Sequence, residues 1–508
     1  MERKVRVRFA PSPTGPLHMG GVRTALYNYL FAKKHKGDFI LRIEDTDQGR
    51  FVPGAEAYII ESLKWCGIEP NEGAGFGDGP HAPYKQSERK PMYRKYAEQL
   101  IQSGNAYYAF DTSEDLEEMR KRIEATGGTS AYNAVTRQNM KNSLTLSAEE
   151  VKKKLDAGES YVIRIKLPRN EEVRVKDIIR GWVVVNSSQM DDKVLFKSDG
   201  MPTYHLANIV DDYLMQITHV IRGEEWLPSA PLHVLLYKYL GWENVMPEFA
   251  HLPLLLKPDG NGKLSKRDGD RLGFPVFPLQ WEDPVSKEIS SGYREKGYYP
   301  EAFINMLSLL GWHSSGNQEL FTMDELIEQF SLERVSKSGA KFDPEKTKWF
   351  NQQYLRKKSD EELAKEFINA ELRIKDAEFN YVVKACKLIK EKANFTNEFW
   401  ALGSYFFIAP EQYDADVIKK RWNEQSVNFI KAVSEAFQNI SSFTAAETEA
   451  AFKTTAEKAG IGAGQVMQLF RVCISGVAGG PALFEVAELL GKEEVVKRLN
   501  TAVEKISK

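Results

Sequence analysis

Residues 4–47 restrict the fold more than any other stretch of the chain. Val5, Val7 and Phe9 alternate with Lys4, Arg6 and Arg8, the period-two pattern of a strand. Ala10-Pro11-Ser12-Pro13-Thr14-Gly15-Pro16 follows and is too rich in proline and glycine for regular structure. Val22, Leu26, Tyr29 and Leu30 then recur at helical spacing, and Phe39-Ile40-Leu41-Arg42-Ile43 reads as an apolar strand ending in Glu44-Asp45-Thr46-Asp47. Strand, loop, helix, strand is a βαβ unit, the start of a doubly wound parallel sheet. Ligands of such sheets bind at the carboxyl ends of the strands, and the two loops fall there.

The character changes from about residue 110 to 200. Ser113 to Arg122 is charged and helix-like, Ser147-Ala148-Glu149-Glu150 has the form of a capping box, and Tyr161 to Ile165 and Val183 to Val185 read as strands. An α+β insertion is expected here. The sheet pattern returns at Gln216 to Arg222 and in the apolar strand Leu252 to Leu256. From about residue 322 strand signals nearly vanish; Ser359-Asp360-Glu361-Glu362 is another capping box, with Leu363 and Phe367 on one helix face. The domains expected are 1–110 and 201–270 as two halves of a catalytic core, 111–200 as the insertion, 271–321 as a linking region and 322–508 as a helical module.

Composition bounds the partners. Lys+Arg and Asp+Glu nearly cancel, 69 against 71, so a nucleic acid would have to be held by local basic patches and not by the net field. The N-terminus runs straight into the first strand with no apolar leader, and no apolar run reaches membrane-spanning length, so a soluble cytoplasmic protein is expected. Cys66, Cys386 and Cys473 are scattered, which favours buried reduced thiols over disulfides or a cysteine-rich zinc site.

Two loops carry the chemistry. In Pro16-Leu17-His18-Met19-Gly20-Gly21 a strand feeds a glycine-bearing turn that opens a helix, so backbone N–H groups and the positive helix end make an anion site. Gly20 and Gly21 allow a flat ring or phosphate close to the backbone, and His18 can donate to a phosphate oxygen. Lys263-Leu264-Ser265-Lys266-Arg267-Asp268-Gly269 follows the flexible Asp259-Gly260-Asn261-Gly262 turn, and its basic side chains suit a departing pyrophosphate. Either loop alone reads more readily as an ordinary turn than as a site; on one parallel-sheet core they reinforce each other.

The pair resembles the HIGH and KMSKS motifs of class I aminoacyl-tRNA synthetases. Ala10-Pro11-Ser12-Pro13-Thr14-Gly15 and Arg42-Ile43-Glu44-Asp45-Thr46-Asp47 are similar to the opening of the glutamyl and glutaminyl members. Pro202-Thr203-Tyr204-His205-Leu206-Ala207, His219 to Trp226, Phe342-Asp343 and Asn351 to Leu355 resemble the bacterial glutamyl branch, and the likeness runs from about residue 5 to 500. It implies an α/β, Rossmann-like class I catalytic domain with an α+β, acceptor-end-binding insertion, then an all-helical anticodon-binding region. It implies ATP with Mg²⁺, L-glutamate and tRNA(Glu) as partners, no membrane, and a monomer. His18, Gly20, Gly21, Lys263, Ser265 and Lys266 would hold ATP, with His18, Lys263 and Lys266 catalytic. Arg8, Ala10, Ser12, Glu44, Tyr204 and Arg222 would hold glutamate; which arginine meets which carboxylate stays open.

Two departures stand out. Many bacterial relatives carry a zinc site in the insertion, but Ala106 to Asp111 and Tyr132 to Gln138 hold neither cysteine nor histidine, so no structural zinc or other protein-bound metal is expected. Arg271 to Gly292, with Phe274-Pro275-Val276-Phe277-Pro278, is longer than the family pattern and reads as a surface insertion. The rivals are a glutaminyl-tRNA synthetase, which would end in β-barrels, a short paralogue without an anticodon module, a catalytically inactive RNA-binding relative, and a small-molecule adenylyltransferase.

Overall fold

The computed structural model describes residues 3–77, 79–125, 127 and 131–506. It has two compact units: Met1–Lys296 with Phe303–Pro344, and Gly297–Ala302 with Glu345–Lys508. Residues 322–344 therefore belong to the first unit, although the sequence reading placed them with the helical module. Buried Phe330, Val335 and Phe342 explain why: Phe330 packs on Tyr27 with ring centroids 5.0 Å apart, and Ala340–Lys341 pairs with Leu255–Leu256.

The first unit is built on two parallel sets of strands. Arg6–Phe9 pairs in parallel with Asp38–Leu41, which pairs in parallel with Glu72–Gly73. The helix Met19–Lys34 connects the first two and buries Val22, Leu26 and Leu30, as the helical spacing predicts. A second sheet has the order Gly181–Asn186, Glu172–Asp177, Glu248–Leu252, His219–Gly223, the last three mutually parallel. The Thr218 N–H donates to the Arg6 carbonyl at 2.9 Å, stitching the two sheets together. The expected strand over 216–222 starts late because Gln216 sits at φ +56° in a turn, and that over 252–256 breaks at Pro253, which has no N–H to give a ladder.

The insertion divides. Ala106–Ala109, Val162–Ile165 and Val194–Phe196 form an antiparallel sheet with Val162–Ile165 in the middle, flanked by the helices Ser113–Ala125 and Ala148–Asp156. Ser147 and Glu150 make the reciprocal box at the start of the second helix. The hairpin Glu172–Asp177/Gly181–Asn186 instead extends the second parallel sheet, so the stretch expected to be wholly inserted contributes to the core as well. Asp192, fully buried, accepts from Tyr107 Oη at 2.7 Å, Arg137 Nη1 at 2.9 Å and the Leu167 N–H at 3.1 Å, and Arg164 lies over the Tyr132 ring at 4.1 Å. This polar tie joins Ala106–Ala109 to the stretch 132–138 with no cysteine or histidine in either. Purified protein should accordingly hold far less than one zinc per chain by elemental analysis; about one per chain, surviving mild chelation, would refute this.

The second unit is helical, from Pro344–Lys357 to Lys492–Ile506, around buried Phe429, Phe437, Phe452, Phe470 and Phe484. The Ser359 box is formed as predicted. All three cysteines are buried and free, and burial pushes their thiols up. Among the described residues no helix is long and apolar enough to cross a membrane, and no group of His, Cys, Asp or Glu side chains is placed to hold a metal ion.

Candidate active site

Two cavities open at the carboxyl ends of the parallel strands of the first unit. The first, about 370 Å³, is lined by Arg8, Ala10, Ser12, Gly20, Gly21, Glu44, Tyr204 and Arg222, together with Asn208 and Trp226. The second, about 500 Å³, is lined by Ser12, Gly21, His18 and Lys266, together with Phe277, Trp281 and Asp283. Pro11, Ser12, Thr14, Leu17 and Gly21 line both. Most predicted site residues are thus brought together around one loop. Lys263 and Ser265 line neither cavity: Lys263 Nζ lies 3.2 Å from Glu225, a wall residue of the first, and Ser265 Oγ donates to Asp268 within the basic loop.

The charges in the first cavity are arranged by the strands. Arg42 and Glu44 follow directly on the strand Asp38–Leu41 and are tied to each other side chain to side chain, and the helix Tyr204–Leu214 puts Tyr204, Asn208 and Asp212 on one face at i, i+4 and i+8. Arg8 grips Asp212 with Nε at 2.9 Å and Nη2 at 3.1 Å. Arg42, wholly buried, bridges Asp212 at 2.8 Å and Glu44 Oε1 at 2.9 Å, and Asn208 donates to the same Glu44 oxygen at 3.1 Å. Burial alone would raise the Asp212 carboxyl, but Arg8 and Arg42 outweigh it and hold it below the usual range. Arg222 donates from Nη1 to the Tyr204 hydroxyl at 2.7 Å and meets the Trp226 carbonyl from Nη2 at 3.4 Å. Burial lowers the Arg222 guanidinium and lifts the Tyr204 hydroxyl to about 12. The charged side chains lining the cavity are Arg8, Arg50 and Arg222 against Glu44 and Glu225, and behind them Arg42 offsets Asp212, so the cavity carries a surplus of one positive charge.

His18 caps the helix that begins at Met19: its Nδ1 accepts the Gly20 N–H at 3.1 Å. That bond fixes the ring proton on Nε2, which is buried and has no partner among the described residues. Burial, then the nearby Lys263, lowers the imidazole to about 4, so it is neutral at physiological pH. A buried, neutral N–H without an acceptor beside a helix N-terminus is suited to an anionic oxygen. A Cβ on Gly20 would meet nothing nearer than 3.5 Å, so packing does not require that glycine, whereas one on Gly21 would strike Leu17 at 2.6 Å. Lys266 faces the second cavity, with Glu288 3.2 Å from its ammonium.

A profile described as tRNA synthetases class I (E and Q), catalytic domain, matches residues 4–349, and one described as anticodon binding domain matches residues 361–503. A glutamate–tRNA ligase of Cytophaga hutchinsonii is 59% identical over 505 residues, 99% of this chain and 97% of the other. One of Flavobacterium johnsoniae is 57% identical over 504 residues, 99% of each. The chain belongs to the glutamate–tRNA ligase family. A crystal structure of a glutamate tRNA ligase from Elizabethkingia meningosepticum in complex with its amino acid superposes with a TM-score of 0.94 at 50% identity, covering 99% of this chain and all of that one. The helical second unit and these full-length likenesses to the glutamate–tRNA ligase family leave the glutaminyl alternative without support.

Arg271 to Gly292 is more than a surface insertion. The Val276 carbonyl accepts the Met19 N–H at 2.8 Å, the Phe277 ring meets His18 edge-on at 6.2 Å, and Trp281 packs on Tyr58 while walling the second cavity. Sequence reasoning also passed over Arg42, Asn208 and Asp212, although strand and helix periodicity placed each beside a residue it did name.

Proposed function

We propose that this chain uses ATP to ligate L-glutamate to tRNA(Glu) through a glutamyl-adenylate, as a cytoplasmic monomer. The observation that carries the reading is the one-charge cationic surplus of the first cavity. Zwitterionic glutamate has a net charge of minus one and would neutralise it, whereas glutamine, net neutral, would leave a buried charge unmatched. Arg8 and Arg222 meet the two carboxylates, for which guanidinium is the bidentate partner. Glu44, with one oxygen held by Arg42 and Asn208, offers the other to the ammonium beside Ser12 and the Ala10 backbone. ATP occupies the adjoining space, with His18 Nε2–H on a phosphate oxygen, Gly21 beneath the nucleotide, Gly20 at its border with the first cavity and Lys266 along the triphosphate; Lys263 and Ser265, outside both cavities, join it when the basic loop closes. Mg²⁺ would come bound to the triphosphate and supply charge screening there, since among the described residues no His, Cys, Asp or Glu group is placed to hold it.

In the first step the glutamate α-carboxylate attacks the α-phosphorus and pyrophosphate leaves; in the second the terminal ribose hydroxyl of the RNA attacks the carbonyl and AMP leaves. No side-chain nucleophile is needed, so the protein works by positioning and electrostatics. Residues 111–200 would hold the acceptor end, and the helical unit the anticodon loop. The test is aminoacylation of purified tRNA(Glu) and tRNA(Gln) with glutamate and with glutamine; preferred use of glutamine would overturn the reading. Lys266→Ala should lower the activation rate by roughly 10²–10³, the loss typical of one transition-state donor. Its melting temperature should hardly change, because among the described residues the lysine's ion partner is the exposed Glu288. Near-normal turnover would remove Lys266 from the mechanism.

A further inference from the structure

Three adjacent strands of the second sheet each contribute one side chain to a buried row. Arg222 lies on His219–Gly223, and opposite it in parallel register His251 lies on Glu248–Leu252. Asp177 ends Glu172–Asp177, the next strand over. Arg222 Nε donates to His251 Nε2 at 3.0 Å, and His251 Nδ1 stands 2.7 Å from Asp177 Oδ2. His251 is 0% exposed and Asp177 2%. The Asp177 carboxylate also accepts the backbone N–H groups of Ile179 at 3.0 Å, Arg180 at 2.8 Å and His251 at 3.1 Å, so its place is fixed from four directions.

The chemistry of the row admits one arrangement of protons. An ionised carboxylate only accepts, so the imidazole proton sits on Nδ1, and Nε2 presents its lone pair to the Arg222 Nε–H. A proton on Nε2 would set two N–H groups head to head. Burial, opposed by Asp177 and aided by Arg222, holds the His251 imidazole below its ordinary range, so the neutral ring persists. Arg222 has five N–H groups: one goes to His251, one to Tyr204 and one to Trp226, leaving one on each terminal nitrogen.

The contrast with Arg8 gives this meaning. Arg8 is anchored by the carboxylate of Asp212, which spends much of its field, while among the described residues no carboxylate lies within ion-pair distance of Arg222. A neutral lone pair orients that guanidinium without discharging it. We propose that His251 and Asp177 are positioning residues for amino-acid binding, holding Arg222 by its Nε so that its two remaining N–H groups face the substrate carboxylate with their full charge. This rests on the reading of Arg222 given above, and neither His251 nor Asp177 lines the first cavity.

The test compares His251→Gln with His251→Asn in aminoacylation of tRNA(Glu), titrating glutamate and ATP separately. The glutamine side chain can place an acceptor where Nε2 lies; the asparagine side chain reaches only the Nδ1 position and keeps the bond to Asp177, so the buried carboxylate stays partnered and the variant should fold. We expect H251N to raise the KM for glutamate by roughly 10²-fold, as small misplacements of a binding group do. H251Q should stay within about threefold, the KM for ATP should be unmoved in both, and kcat should change less than KM. A structural role for the row predicts the reverse order, since asparagine preserves the tie between strands. Equal effects of the two variants, or a parallel rise in both KM values with lowered melting temperature, would overturn the proposal. Arg222→Ala and the double variant R222A/H251N complete the cycle with H251N and should share one KM for glutamate; additive effects would overturn the coupling. An R222A variant with unchanged KM would overturn the reading of Arg222 itself, whereas a defective R222A beside a normal H251N sinks the positioning role alone.

Discussion

Arg222→Ala should lower kcat/KM for glutamate by roughly 10²–10³-fold, since stranding a buried carboxylate without its cation costs about 3–5 kcal/mol and each 1.4 kcal/mol is about tenfold. ATP binding should be nearly unaffected, because the second cavity is lined by His18 and Lys266 and not by Arg222. The folded state should tolerate the change. Among the described residues Arg222 has no carboxylate within ion-pair distance, so its removal strands no buried carboxylate and costs the fold only its hydrogen bonds to Tyr204, His251 and Trp226. The check is steady-state aminoacylation with each substrate varied, beside a thermal melt. A large fall in melting temperature with an unchanged KM for glutamate would show that Arg222 serves the fold instead of the substrate.

Arg42→Ala should have the opposite signature. Arg42 is wholly buried and joins Asp212 to Glu44, so its removal leaves two buried carboxylates with one fewer cation between them. Breaking such a network by deleting one partner costs about 3–5 kcal/mol. The loss should ease at low pH, by a sign that can be worked out from Asp212. Its carboxyl is held below the ordinary value when folded, so the stability it contributes is present above that ordinary value and fades as pH falls through the folded one. In the variant that contribution shrinks, and its stability should depend less on pH on the acid side. Urea unfolding of both proteins at pH 7 and at about pH 3, below the ordinary carboxyl value of 3.8, measures this; an equal deficit at the two values would assign the loss to packing. Arg8→Ala lies between these cases, because Arg8 both lines the first cavity and grips Asp212.

Much of this was legible in the sequence, for identifiable reasons. The βαβ opening, the two chemistry-bearing loops and the helical tail are local patterns, and local patterns survive in a single sequence. Tyr204 and Glu44 came through the family likeness, yet Asn208 and Asp212 lay one and two helical turns beyond Tyr204 and went unread because polar helix faces usually point to solvent. The hairpin Glu172–Asp177/Gly181–Asn186 was assigned to the insertion because strand signals do not say which sheet they join. Residues 322–344 look helical and polar, and only the burial of Phe330 and Phe342 places them with the first unit. The wall built from Phe277 and Trp281 depends on tertiary contacts with His18 and Tyr58 that no spacing encodes.

The strip Pro11, Ser12, Thr14, Leu17 and Gly21 faces both cavities, so the same few atoms form part of two boundaries. A molecule on one side that shifts or stiffens this partition alters the free energy of whatever occupies the other. Such linkage is reciprocal: whatever factor the nucleotide imposes on the affinity for the amino acid, the amino acid imposes on the affinity for the nucleotide. Because the partition is one loop between a strand and a helix, a substitution within it need not touch either ligand to change how strongly each one feels the other.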